Sequence, residues 1–434
     1  MSDLILFKNG RVIDPKEQRD AVGDLWIKNG KIIASVDVDA KEAEIFDLDG
    51  LWVVPGLIDM HVHLREPGEE YKETIVTGAK AGAAGGFTGL ACMPNTEPVN
   101  DNGSVTRFIL EQAQTSACRI YPIGALSKGI AGKSLAEYGE MKMAGAVALS
   151  DDGHPVADSR LMRRAMEYAL SHDMLVISHS EELSLSRGGC MNEGALSTRM
   201  GLRGIPVAAE SVMVHREIAL AELTGARVHI AHVSTERSLS LIRDAKVRGV
   251  KITAETAPHY FTLTENAVKG YDTHAKMSPP LRTEVDRRAV CEALADGTID
   301  AIATDHAPHS VLEKEVEFDH AANGIAGLET SLSLGLALVR DGVLSPGRLV
   351  ELMSSAPAEI LGVVGGSLSR GDVADITVID PEKAFGFSAP KSFSKGKNSP
   401  FDGWTLQGKA VLTVCSGKIT HNELTSQSAE RIGQ

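Results

Sequence analysis

The chain has 434 residues, with 44 Lys plus Arg against 58 Asp plus Glu, a formal net charge of −14. Hydrophobic residues make up 43% and charged residues 24%, a globular balance that excludes a disordered, collagenous or coiled-coil chain. A field of that sign repels phosphate backbones and anionic lipid, which argues against a nucleic-acid or membrane-surface binder, and an anionic substrate must be captured by local Arg or His.

The length allows two or three domains, or one large barrel with an appendage. From the N-terminus, Leu4–Lys8, Asp24–Lys28 and Lys31–Val36 read as short strands, and Asn9-Gly10 and Asn29-Gly30 read as hairpin turns between them. The first residues lack a basic region followed by a long apolar stretch, so a secretory signal is not expected. No apolar run approaches the ~18 residues of a membrane span.

From residue 52 the pattern changes. Apolar runs alternate with helical periods, the mark of βα units on a parallel sheet. Eight candidate strands follow: Trp52–Ile58, Phe87–Met93, Ile120–Ala125, Ala146–Ser150, Leu175–Ser178, Val228–Ala231, Lys251–Glu255 and Ile299–Thr304. Between them, Asp158–His172 carries an apolar stripe of Leu161, Met162, Ala165, Met166, Ala169 and Leu170, with Asp158 or Ser159 to cap its start. Eight strands with intervening helices fit a (β/α)8 TIM-like barrel. The segment Ser310–Gly324 is long, charged and aperiodic, and reads as a mobile loop over the barrel mouth. Lys391–Pro400, rich in Ser, Lys and Gly, reads as a surface loop. The strand-like runs Ala374–Asp380 and Ala410–Cys415 return to the character of the N-terminus. Both termini are therefore expected to form one small β-sandwich domain, from 1–54 and 363–434, around a barrel spanning 55–362. The five cysteines, odd in number and without a CxxC pair, suit a reducing compartment, and the cytoplasm is the expected location.

Chemistry-bearing residues collect at the strand ends, where barrel active sites are built. His61-Val62-His63 follows the first buried strand, and side chains two apart on an extended segment point the same way. Strand four ends in Ser150-Asp151-Asp152-Gly153, strand five in Ser178-His179, strand six contains His229 and His232, and strand eight ends in Asp305-His306-Ala307-Pro308-His309. With Val228 and Ile230 filling the barrel interior, parity turns His232 inward and His229 outward as a structural histidine. His172, His215 and His274 also read as structural. A nitrogen and oxygen donor set without cysteine suits Zn²⁺, with Mn²⁺ or Co²⁺ as substitutes. Four histidines and two aspartates exceed one tetrahedral ion and suit two ions ~3.5–4 Å apart, bridged by a carboxylate and a hydroxide.

The run Asp59-Met60-His61-Val62-His63-Leu64-Arg65-Glu66-Pro67-Gly68 resembles the signature of dihydroorotases in the amidohydrolase superfamily. Met93-Pro94-Asn95-Thr96, Thr304–His309 and Gly371-Asp372-Val373-Ala374-Asp375 match the same family, so the resemblance spans essentially the whole chain. It implies that His61, His63 and Asp305 hold the more buried ion, and His179 and His232 the other. Many relatives bridge the ions with a carboxylated lysine at the end of strand four; here that place holds Asp151 and Asp152, as in the aspartate-bridged branch, and Asp152 matches that branch better. The implied reaction is the reversible cyclisation of N-carbamoyl-L-aspartate to L-dihydroorotate in pyrimidine biosynthesis. Arg65, Asn95 and His309 would hold the substrate carboxylate. Ser278 would face the ring, where family members often carry Asn. Asp305 would be the general acid and base, exchanging a proton with the bridging hydroxide and the ring nitrogen.

A hydantoinase- or allantoinase-like cyclic amidase is the competing enzyme reading, and Arg65 and the missing lysine argue against it. A non-catalytic partner of aspartate transcarbamoylase is the other alternative, and such chains lack metal-site residues that this one has. A homodimer is expected, with aspartate transcarbamoylase as a candidate partner.

Overall fold

The computed structural model describes residues 4–34 and 43–424. Five strands open the chain: β1 (Leu4–Asp14), β2 (Arg19–Lys28), β3 (Lys31–Ile33), β4 (Glu44–Asp47) and β5 (Trp52–Pro55). Asn29-Gly30 turns β2 into β3 as expected, and Val36 lies outside the described residues. Asn9-Gly10 is not a turn. It lies inside β1, where Asn9 has φ 62° and the register to β2 shifts between Phe7 and Gly10. A Cβ on Gly10 would lie 2.6 Å from Val53 Cγ2, so the dipeptide makes a bulge that fits against the neighbouring strand.

The expected strand Trp52–Ile58 is two strands. β5 ends at Pro55, and after Gly56 the chain enters β6 (Leu57–Val62), the first strand of the barrel. Gly56 has no room for a side chain, since a Cβ there would sit 2.2 Å from Thr88 Oγ1. The barrel continues with β7 (Phe87–Cys92), β8 (Arg119–Gly124), β9 (Ala148–Ser150) and β10 (Leu175–Ser178). After a two-stranded ribbon of β11 (Met191–Asn192) and β12 (Gly204–Ile205) come β13 (Val228–Ile230), β14 (Ile252–Thr256) and β15 (Ala301–Ile302). All eight barrel strands are parallel, in the order β6-β7-β8-β9-β10-β13-β14-β15. The seam between β15 and β6 is closed by a bridge from Val62 to His306 and by the carboxylate of Asp59, which accepts the Thr304 amide at 3.1 Å.

Helices wrap the outside. The helix Ser159–Ser171 is capped by Asp158, which accepts from the amides of Arg160 and Leu161. Met162, Ala165, Met166 and Ala169 are buried as the stripe requires, whereas Leu170 is exposed. Among the described residues no helix is long and apolar enough to cross a membrane.

The chain returns in β16 (Ile376–Gly386), β17 (Thr405–Cys415) and β18 (Lys418–Asn422). Both ends share one sheet, ordered β18-β17-β16-β5-β1-β2-β3 with β4 also on β1, joined where β16 pairs with β5. Phe7, Val12, Val53, Ile376 and Leu412 meet in its core.

Two loops depart from expectation. Ser310–Gly324 contains a helical turn, Val311–Lys314, and the Lys314 ammonium is buried, donating to the carbonyls of Ala322 and Gly324 at 2.8 and 3.1 Å. Lys391–Pro400 is not simply a surface loop, because Ser394, Asn398 and Ser399 are buried against the barrel. Composition reports polarity, and here buried hydrogen bonds satisfy that polarity.

Candidate metal centre

The C-terminal ends of the barrel strands open into a cleft of about 450 Å³. Asp152, just past β9, stands at its centre. Its Oδ1 lies 3.5 Å from His61 Nε2, 3.5 Å from His179 Nδ1 and 3.5 Å from His232 Nε2. Its Oδ2 lies 3.4 Å from His63 Nε2. Asp305 Oδ1 is 3.2 Å from His63 Nε2 and 3.6 Å from His61 Nε2. Two trios share one carboxylate: His61, His63 and Asp152, and Asp152, His179 and His232. Asp151 turns the other way, accepting the amide of Ser127 at 3.0 Å and its hydroxyl.

His232 reaches the cluster by a route different from the parity expected. Val228 and Ile230 pack outward with helix residues such as Val214, Ile218, Leu239 and Ile242. His229 therefore points inward, with Nδ1 2.8 Å from Thr253 Oγ1 and Nε2 3.3 Å from Glu255 Oε2. His232 follows the end of β13 and is turned into the site by a left-handed backbone, φ 36°. Arg65 and Asp305 share that region, at φ 62° and 48°. Side chains there cost backbone energy, and such positions concentrate at functional sites.

Burial opposes charge throughout the cluster. For Asp152 that penalty is outweighed by His61 and by contacts to His179 and His232, which hold its carboxyl well below the usual range. Burial likewise opposes charge on His61, but Asp152, Glu255 and Asp305 favour it and raise its pKa well above normal. Several buried carboxylates around a few imidazoles create a demand for positive charge. His61 Nε2 and Asp152 Oδ1 are buried with no hydrogen-bond partner. His179 Nδ1 and His232 Nε2 face each other at 2.8 Å. Bare inward-facing lone pairs of nitrogen and oxygen, with no thiolate, fit a divalent metal site.

In the same cleft, Arg65 donates from Nε to the carbonyl of Pro308 at 3.2 Å, and its Nη2 lies 3.3 Å from His309 Nε2. Burial, then the charges of Arg65, Lys72 and Lys314, push His309 down to about 3, so its ring is neutral. Asn95 Oδ1 lies 2.9 Å from His63 Nδ1. Ser278 lines the same cleft beside Met277. All ten residues singled out from the sequence thus lie in or directly behind this cleft.

The structure adds residues that motif reading passed over. Glu255, at the end of β14, accepts from His61 Nδ1 at 2.6 Å. Strand parity identifies it, because Ile252 and Ala254 pack toward the helices. Glu181 lies 3.2 Å from His179 Nε2. Asp59, pushed up to about 7 by burial, accepts the His61 amide at 3.0 Å.

The dihydro-orotase-like family matches residues 50–238. The chain is 68% identical over 418 residues to a dihydroorotase from Desulfotalea psychrophila, covering 96% of this chain and 99% of that one. It is 55% identical over 423 residues to a dihydroorotase from Syntrophus aciditrophicus, with coverage of 96% and 99%. Among solved structures, the L-hydantoinase (dihydropyrimidinase) of Arthrobacter aurescens is similar, with a TM-score of 0.87 at 26% identity over 98% of this chain and 97% of that one.

Proposed function

The chain belongs to the dihydroorotase family of cyclic amide hydrolases, and from that premise we infer that it interconverts N-carbamoyl-L-aspartate and L-dihydroorotate for pyrimidine biosynthesis. One observation carries the assignment. Four imidazoles and two carboxylates converge in or directly behind a cleft that is also lined by a buried Arg65. The first set suits hydrolysis of an amide, and the second suits a substrate carboxylate.

Within this reading Asp152 is the shared carboxylate between His61 and His63 on one side and His179 and His232 on the other. Two zinc ions are the expected occupants, with manganese or cobalt as substitutes. When bound, such ions supply Lewis acidity and lower the pKa of a water toward ~7. The chain's own groups do the rest. Arg65, Asn95 and His309 fix the carboxylate, and Ser278 meets the ring. Asp305 takes the proton of the attacking water as its oxygen adds to the ring amide carbonyl. It passes that proton to the ring nitrogen as the C–N bond breaks. In the reverse direction Asp305 removes a proton from the carbamoyl nitrogen, which attacks the side-chain carboxyl, and water leaves. A homodimer is the expected solution state.

The test is turnover of L-dihydroorotate by the purified protein, with metal content measured on the same sample. Turnover that disappears on chelation and returns with zinc is expected. A metal-loaded protein that opens hydantoins or dihydropyrimidines but not dihydroorotate would overturn the assignment.

A further inference from the structure

Asn398 lies far along the chain from every motif that makes the site, in the terminal segment beyond β16. Its side chain is buried and fully engaged. Oδ1 accepts the amide of His309 at 2.8 Å. Nδ2 donates to the carbonyl of Ala307 at 3.0 Å and to that of Gly324 at 2.9 Å. Its own carbonyl accepts the Ala326 amide at 2.8 Å. One amide thus ties the loop after β15 to the end of the 310–324 segment.

The segment is seated from two further sides. Glu329 accepts the amide of Phe393 at 2.7 Å, and Glu73 accepts the Ser394 hydroxyl. Gly396 presses on the same loop, since a Cβ there would lie 2.4 Å from Pro308 Cβ. Pro308 is the residue whose carbonyl holds Arg65 Nε. Contacts from Asn398 and Gly396 therefore converge on Ala307-Pro308-His309, the stretch that orients both Arg65 and His309. The metal-facing residues take no hydrogen bond from this segment among those described.

We propose that Asn398 is a positioning residue for substrate recognition: it sets the His309 backbone, and through Pro308 the Arg65 guanidinium, at the spacing that a substrate carboxylate requires. This rests on the reading of Arg65 and His309 as the carboxylate grip. A small displacement of such groups weakens binding steeply, and the hydrogen bonds of the Asn398 side chain go to His309, Ala307 and Gly324 rather than to the metal-facing side chains.

The variants Asn398→Ala and Asn398→Asp remove both donors, and the second keeps an acceptor for the His309 amide. Each is expected to raise KM for L-dihydroorotate about 10-fold or more, to change kcat much less and to leave bound zinc unchanged. Affinity for orotate, which bears the same carboxylate, should fall in parallel, while weak binding of uracil, which lacks it, should not change. A purely structural role would lower kcat, zinc content and both affinities together. Arg65→Met separates the two levels of the argument. If it raises KM and the Asn398 variants do not, the positioning role is overturned and the carboxylate grip stands. If neither raises KM, the grip itself is wrong. Should the Asn398 variants not fold, Gly396→Ala displaces the same loop and is read the same way. Failure of all of them to fold would also overturn the proposal, because the segment would then be a folding element.

Discussion

His61 is held at the Nδ1 end of its ring, while Nε2 has no hydrogen-bond partner. Nδ1 donates to Glu255 at 2.6 Å, which leaves the Nε2 lone pair facing Asp152 and Asp305. Glu255 is in turn braced by His229, and those imidazoles outweigh its burial and keep its carboxyl low, at about 2. Carboxylates that fix the tautomer of a ligating histidine raise its basicity, and their loss costs about 10–100-fold in metal affinity. Glu255→Gln is therefore expected to lose zinc to a competing chelator at about that ratio while remaining folded. Unchanged zinc affinity would remove Glu255 from the metal site. Asp305 answers to a different measurement. Asp305→Asn should leave the fold intact and cut kcat by about 10²–10⁴-fold, the range of a lost general acid-base group. Near-normal turnover would sink that role.

At the scale of the element, the transfer from the terminal sheet to the barrel depends on Gly56. β5 and β6 are separated by this one residue, and Thr88 fills the space a side chain would take. Gly56→Ala overpacks that contact and should destabilise by about 1–3 kcal/mol, read as a thermal midpoint several degrees lower. An unchanged midpoint would mean that the Thr88 side chain moves aside at no cost. Strand parity teaches the complementary lesson. On β10, Leu175 and Ile177 fill the barrel interior and carry His179 inward, so simple alternation locates the ligand. On β13 the same rule fails for His232, because the strand stops at Ile230 and the backbone turns through φ 36°. Alternation tells which residues share a face, but a strand apolar on both faces does not declare which face is inside.

The whole molecule is closed by its own C-terminal segment. Glu329, half-buried beneath that segment, is pushed up to about 7 by its partial burial, although the Phe393 and Ser394 amides and the charges of Lys397 and Lys409 oppose the shift. Its folded pKa thus lies above the ordinary 4.5. Between those two values the native chain keeps a proton that the unfolded chain has lost, so this group's contribution to stability falls as pH rises through the window. Glu329→Gln should lack that slope. Thermal midpoints of both proteins across roughly pH 5 to 8 would show it, and parallel curves would refute it.

The barrel, the pairing of the two termini and the gathering of the ten singled-out residues at one cleft were legible in the sequence, because hydrophobic period and short motifs are local properties of the chain. The HxH pair, the double aspartate and the Asp305–His309 run each declare themselves within ten residues. The resemblance favoured Asp152 over Asp151, and the tertiary structure supplies the physical reason: adjacent side chains point to opposite sides, and packing turns Asp151 to Ser127. Tertiary structure alone turned His229 inward, put Glu255 behind His61, and buried Asn398 under the strand-eight loop. Those contacts join residues from 24 to 194 positions apart. A polar residue has the same local pattern whether it meets solvent or a distant backbone, and only the folded chain supplies the partner that decides between them.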